Sequence, residues 1–329
     1  MKYTNLGRTG LKVSRLCLGT MTFGNQCDEA TSHAIMDHAL ELGISFWDTA
    51  DMYPAAGPDT IGDTERIMGR YLQGRRDDVV LATKFWGPIG PNPWQRGASR
   101  RHIIDAVDGS LRRLDVERID LYQIHFPDHT TPTDETLGAL DDLVRQGKIH
   151  YLGCSNFPAW LLARTLGRSE VLGVARYDCV QPRYNLLFRA FERDLFDLCA
   201  VENIAVIPYN PLAGGLLTGK HPREAPEEGS RFTLAGGQGD RYKERYFTDR
   251  LHDAVDAIRP LAAEAGVSMA QLAVAWVLAN PVITAPIVGA TRPEQLDDAA
   301  AAVEAGIDAD LKAALDALTD EFRLVDADR

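Results

Sequence analysis

The feature that most constrains this chain is an alternation along nearly its whole length. Short apolar, β-branched runs are separated by longer segments with a helical repeat. Eight runs read as strands, beginning at Arg15 (RLCLGT), Ile44 (ISFWD), Val79 (VVLATK), Ile119 (IDLYQIH), His150 (HYLGCS), Asp178 (DCVQP), Ile204 (IAVIP) and Val282 (VITAPIV). Helix-like stretches lie between them, such as 29–42, 100–114, 133–146 and 189–201. Strands that are apolar throughout are covered on both faces, and regular strand–helix alternation makes them parallel. Eight such units fit a closed (β/α)8 TIM barrel better than an open sheet. The length of 329 residues suits one barrel domain spanning 1–329.

Three departures decorate that repeat. Segments 3–6 and 11–13 flank Gly7-Arg8-Thr9-Gly10 and read as an N-terminal hairpin under the barrel. The seventh and eighth strand starts are 78 residues apart, against 26 to 40 elsewhere. That gap holds a polar, Gly-rich stretch (227–240) and two helical segments (242–265 and 268–280), a long insertion of the kind that forms binding loops. Residues 310–319 read as a C-terminal helix.

Charge and cysteine usage narrow the function classes. With 35 Lys+Arg against 47 Asp+Glu the formal net charge is −12. This argues against nucleic acid or an anionic membrane as a charge-driven partner. No apolar run approaches the roughly 18 residues of a membrane span, and Met1 to Asn5 show no apolar signal region. Cys17, Cys27, Cys154, Cys179 and Cys199 are scattered, which points to a reducing compartment. The expectation is a soluble cytoplasmic protein acting on a small molecule; the composition sets no oligomeric state.

In a barrel of this kind chemistry sits at the C-terminal strand ends. Here the apolar runs close on Asp48, Lys84, His125, Ser155-Asn156, Gln181, Tyr209-Asn210 and Gly289. An Asp, a Lys and a His in such apolar contexts are costly unless they face one another. Tyr53, five residues beyond Asp48, can lean over the same mouth. The four make a proton-delivery site in which an adjacent Lys84 ammonium is expected to lower the Tyr53 pKa. His125, His129 and His150 match no zinc spacing, so no metal is expected. Lys84 alone leaves a Schiff-base aldolase open.

Seven segments now carry a resemblance: GISFWDTADMY with GDTERIMGRYL, ATKFW, IDLYQIHFPD, GKIHYLGCSNF, VQPRYNLLFR, VIPYNPLAGGLLTGK and IVGATRPEQL. In this order the chain resembles the aldo-keto reductases. Its motifs are similar to the bacterial general-stress-type and channel β-subunit-like branches. The resemblance implies a catalytic tetrad of Asp48, Tyr53, Lys84 and His125, with Tyr53 as general acid in carbonyl reduction. It implies that Ser155, Asn156 and Gln181 hold a nicotinamide carboxamide, that Tyr209 stacks on the ring, and that hydride passes directly to an aldehyde or ketone.

Phosphate groups bind the loops after the seventh and eighth strands in many barrels. Those loops are 210–220 and 289–295, the second opening a helix near Pro293 whose N-terminus suits an anion. Asn210, Leu212, Gly214, Leu216 and Lys220 are expected along the pyrophosphate. Gly289, Thr291, Arg292 and Gln295 are expected around the adenosine ribose. Arg292 as partner of a 2′-phosphate makes NADP(H) the expected cofactor. Three positions depart from the family pattern: Asn210 for Ser, Val288 for Pro, and Ala299 for an Asn against the adenine. Phe23, Trp86 and Phe126 are the expected substrate wall. The rival from another class is a nicotinamide-binding regulatory partner of the same fold, in which Asn commonly replaces His125.

Overall fold

The computed structural model describes residues 1–235 and 237–325. Gly236, within the Gly-rich stretch, and the last four positions of the expected 1–329 span lie outside the described residues. Ten strands form in two sheets. β1 (Tyr3–Asn5) and β2 (Lys12–Ser14) pair antiparallel, with Tyr3 opposite Ser14, as the expected hairpin. The other eight are β3 (Cys17–Gly19), β4 (Phe46–Asp48), β5 (Val80–Phe85), β6 (Ile119–Ile124), β7 (Ile149–Ser155), β8 (Tyr177–Gln181), β9 (Ala205–Val206) and β10 (Ile287–Gly289). They form one parallel sheet in the order β10-β3-β4-β5-β6-β7-β8-β9.

The two edges of that sheet meet. Val206 bridges Ile283 in parallel, Thr284 N–H donates to Val206 O at 2.8 Å, and Ile287 N–H donates to Pro208 O at 2.8 Å. The last segment therefore touches β9 on one side and β3 on the other, which closes a (β/α)8 barrel. Eight runs of two to seven residues suffice because each is paired on both sides.

The two-residue strand period sorts the side chains into two cores. Cys17, Phe46, Ala82, Leu121, Cys179, Ala205 and Ile287 point inward and fill the barrel, and Leu6 and Val13 of the hairpin seal its floor. Leu18, Trp47, Leu81, Phe85, Tyr122, Leu152, Cys154 and Val180 point outward and pack under the helices. Each such large apolar side chain stabilises the fold by about 1.5–3 kcal/mol relative to exposure.

The covering helices are α1 (Glu29–Glu41), α2 (Asp63–Leu72), α3 (Arg100–Leu114), α4 (Thr133–Arg145), α5 (Ala159–Leu172), α6 (Leu195–Glu202), α7 (Gln238–Tyr246), α8 (Asp249–Glu264), α9 (Met269–Leu278), α10 (Asp297–Ala305) and α11 (Ala309–Leu318). Several start on side-chain caps. Asp28 accepts from Thr31 N–H at 2.8 Å and Ser268 from Gln271 N–H at 2.9 Å. α5 ends on Gly173 at φ 65°.

Two expected helices break. The 189–201 stretch is a 3-10 turn (Ala190–Arg193) followed by α6, because Asp194 leaves helical geometry and its carboxylate accepts from Leu195 N–H at 2.6 Å. The 242–265 segment is two helices. α7 starts earlier, at Gln238, and Thr248 is extended (φ −126°, ψ 154°), so α8 begins anew at Asp249. No single helix among the described residues is long and apolar enough to cross a membrane.

Candidate active site

Strand parity brings the polar residues together. Asp48 is two residues beyond inward-facing Phe46, Lys84 two beyond Ala82, and Gln181 two beyond Cys179, so all three point into the barrel above its apolar filling. Lys84 is fully buried and Asp48 nearly so. Lys84 Nζ donates to Asp48 Oδ2 at 2.5 Å, to Thr49 O at 2.8 Å and to Tyr53 Oη at 3.5 Å. His125 follows β6, and its ring meets that of Tyr53 edge-on, with centroids 5.7 Å apart. The four expected tetrad residues thus converge at the mouth.

Their charge states follow from burial and neighbours. Burial alone would discharge Lys84, but Asp48 and Tyr53 outweigh it and hold the ammonium above its ordinary value. His125 is pushed well down by burial and by Lys84, so its imidazole is neutral at pH 7. Its Nδ1 is buried and makes no hydrogen bond among the described residues. The expected lowering of the Tyr53 pKa is overturned. Burial raises it, and the Lys84 ammonium offsets only part of that push. Tyr53 is therefore a neutral phenol, an O–H donor.

The next strands round bring up the residues expected at a nicotinamide. Ser155 Oγ donates to Gln181 O at 2.8 Å, Asn156 Nδ2 donates to His125 O at 3.0 Å, and Tyr209 Oη donates to Asn156 Oδ1 at 2.9 Å. Asn156 sits at φ 62°, which turns its amide back over the mouth. Gln181 lies beside them on the inner face of β8. Its Nε2 donates to Asp48 Oδ1 at 3.0 Å and to Gln123 Oε1 at 3.2 Å, which ties it to the tetrad cluster.

After β9 the chain makes a glycine turn. Leu212 is near-helical, Ala213 (φ 50°) and Gly214 (φ 70°) are left-handed, and Gly215 follows at φ 109°. The turn is held by its own backbone: Ala213 N–H donates to Asn210 O at 2.9 Å and Gly215 N–H to Leu212 O at 2.8 Å. A Cβ on Gly214 would meet the Tyr242 ring at 2.8 Å. Asn210 Nδ2 is buried and without a partner among the described residues. Leu216, expected along the pyrophosphate, is only 1% exposed and packs in the core instead. Lys220 is exposed and paired with Glu227 at 3.2 Å. Across the groove, Thr291 N–H donates to Gln295 Oε1 at 2.7 Å, which fixes the turn carrying exposed Arg292. Ala299 is buried in the core. The left-handed turn, the Asn210 amide nitrogen with no partner among the described residues and the half-buried Tyr209 ring fit a nicotinamide dinucleotide.

On the substrate side the rings of Trp86 and Phe126 lie 5.2 Å apart, and Phe126 stacks on His125 at 4.9 Å. Phe23 does not line this wall: its side chain is wholly buried in the core between sheet and helices.

Three features escaped the sequence reading. Gln123, two residues before His125 and hence on the same inner face, donates to Asp48 Oδ1 at 2.9 Å; the parity signal was there to find it. Arg231, from the insertion, donates to Tyr242 Oη at 3.0 Å and lies 3.2 Å from where a Gly289 Cβ would stand. Glu65 on α2 is buried and joins Thr83 (2.7 Å) to Arg113 on α3 (2.7 Å), with the buried Asp51 carboxyl, which has no side-chain partner among the described residues, close by.

Fold and site together define a closed barrel with a buried Lys–Asp pair and a tyrosine at its mouth. Residues 15–320 match the family model described as the aldo/keto reductase family. The chain is 42% identical over 320 residues to the uncharacterized oxidoreductase YrpG of Bacillus subtilis, covering 94% of each chain. It is 37% identical to a probable voltage-gated potassium channel subunit beta of Arabidopsis thaliana, covering 92% of each. It is 32% identical to versiconal hemiacetal acetate reductase of Aspergillus parasiticus, covering 92% of this chain and 93% of that one. The chain belongs to the aldo/keto reductase family, and is an oxidoreductase by that membership.

Proposed function

We propose that this protein reduces an aldehyde or ketone to an alcohol at the expense of NADPH, with Tyr53 as general acid. The observation that carries the reading is the chain of contacts from Asp48 through Lys84 to the Tyr53 hydroxyl, closed at the mouth by neutral His125. The reduced nicotinamide supplies the hydride when bound. Tyr53 Oη gives its proton to the carbonyl oxygen, and Lys84, still charged, stabilises the phenolate left behind. That balance suits a phenol whose resting pKa is high: it holds its proton until the substrate oxygen gains charge. Asp48 keeps the ammonium in place, and neutral His125 orients the carbonyl.

Tyr209 would support one face of the nicotinamide, with Ser155 and Asn156 at its edge and the 210–220 turn along the pyrophosphate. NADP rather than NAD is supported by charge. Arg231 and Arg292 border the last strand and its following turn, and neither has a carboxylate partner among the described residues. The Schiff-base alternative fails on Lys84, whose ammonium donates to three acceptors and has no free lone pair. The likeness to channel β subunits favours one other reading, a nicotinamide-binding regulatory subunit. The readings part on turnover. Purified protein should consume NADPH with a reactive aryl aldehyde, NADH more weakly, and Arg292→Ala should weaken NADPH binding more than NADH binding. Tight NADPH binding with no consumption across aldehydes and ketones would favour the regulatory reading.

A further inference from the structure

The loop that leaves β5 holds a charge the reaction does not use. Trp86 sits at φ 121°, a conformation bulky side chains rarely adopt. It is fixed on both sides: Gly97 N–H donates to Trp86 O at 2.9 Å, and Gly87 lies so close to Met52 that a Cβ would stand 2.7 Å from its sulfur. The Trp86 ring continues the surface begun by His125 and Phe126. On its face lies Arg96, with Cζ 5.7 Å from the ring centroid.

Arg96 is exposed and has no hydrogen-bonded or ion-paired partner among the described residues. Asp128, whose Oδ2 lies 2.8 Å from where a Cβ on the next residue, Gly97, would stand, is committed elsewhere. It accepts from Ala98 N–H, Thr130 N–H, and the hydroxyls of Thr130 and Thr131. Partial burial pushes the Asp128 pKa up, but those bonds outweigh it and bring it to about 2. In a chain of net charge −12, a lone guanidinium is held against the aromatic wall, three ring contacts from Tyr53.

We propose that Arg96 selects carbonyl substrates bearing a carboxylate on the far side of a flat or short apolar body. The inference rests on the reductase reading. A carbonyl seated at Tyr53 and His125 lays such a body along Phe126 and Trp86, and its far end meets the Arg96 fork. A guanidinium binds a carboxylate through two parallel hydrogen bonds and stays charged at any working pH. A dianionic phosphate would call for a second cation, and Arg96 is the one cation over the Trp86 ring among the described residues.

The test compares 4-formylbenzoate with its neutral methyl ester, in wild type, Arg96→Gln and Arg96→Lys. Wild type should favour the acid in kcat/KM by about tenfold, the scale of one charge-assisted contact at a partly exposed site. The preference should lie in KM and shrink with added salt. Arg96→Gln should bring the ratio near one, and Arg96→Lys should restore part of it. A wild-type ratio near one, or a preference that survives Arg96→Gln, overturns the proposal. Calorimetric binding of the same pair to the cofactor-free protein separates the two readings. An acid preference that needs Arg96, without reduction of either compound or of other aldehydes and ketones, leaves the carboxylate site standing and overturns the reductase reading. Equal binding of acid and ester overturns the site.

Discussion

Lys84 is wholly buried, and a buried ammonium is tolerable only with its charge and protons engaged. Asp48 and the Thr49 carbonyl do that, while Gln123 and Gln181 satisfy the other Asp48 oxygen. The cluster is therefore one unit. Lys84→Met would leave Asp48 buried with neutral partners only. The expected cost is about 3–5 kcal/mol in urea unfolding, together with loss of at least about a hundredfold in turnover. A variant that unfolds like wild type would break the link drawn between burial and pairing. Most of this was legible: Asp48, Lys84 and His125 each close an apolar run, and Tyr53 follows at loop distance. The sign of the Tyr53 shift was not, because it depends on how deeply its ring is buried against the pull of one ammonium, a balance of three-dimensional distances.

At the scale of elements, parity and close approach decide the geometry. A strand shows every second residue to the barrel, so one residue of slippage would send Lys84 out among the helices. Between the sheet and those helices, α2 and α3 come close because Gly69 has no side chain; a Cβ there would lie 2.3 Å from Arg113 O. This approach lets Arg113 reach Glu65. Gly69→Ala should therefore destabilise by roughly 1–3 kcal/mol. Gly138, in the middle of α4 with open space around it, should do the opposite: Gly138→Ala should stabilise by about 0.5–1 kcal/mol. Thermal unfolding of both variants checks the contrast. Strand and helix order was readable from periodicity alone, but the break at Thr248 was not. The apolar spacing of α7 and α8 runs on across it, and only the extended Thr248 backbone separates them.

For the whole molecule, burial without partners sets the response to acid. His102 is buried on α3 with neither ring nitrogen bonded among the described residues, and burial lowers its pKa from 6.5 to about 4. His125, His221 and His252 are also lowered, burial first. An unfolded histidine takes up its proton below about pH 6.5, whereas these remain neutral in the fold. The stability these four contribute is therefore full above that pH and is lost as pH falls toward 4, while His38, raised by its bond to Asp297, acts in the opposite sense. His102 alone contributes up to roughly 3 kcal/mol. Denaturant unfolding from pH 7 to pH 4 should show the decline, and His102→Leu should flatten it; an unchanged slope would contradict this assignment. The closed barrel and its hairpin floor were foreseeable from eight apolar runs and a short Gly-bounded pair. The side of the long insertion facing Gly289 was not, since the Arg231 contact joins residues far apart in the chain.

All of these scales meet at one hydroxyl. The most direct measurement is NADPH consumption by Tyr53→Phe beside wild type with the same aryl aldehyde, while NADPH binding is followed by fluorescence. The change removes a single oxygen that Lys84 Nζ approaches at 3.5 Å and leaves the ring against His125. The account predicts NADPH binding near the wild-type value and turnover lower by about 10²–10⁴-fold. A Tyr53→Phe protein that binds NADPH and still reduces the aldehyde at close to the wild-type rate would contradict it.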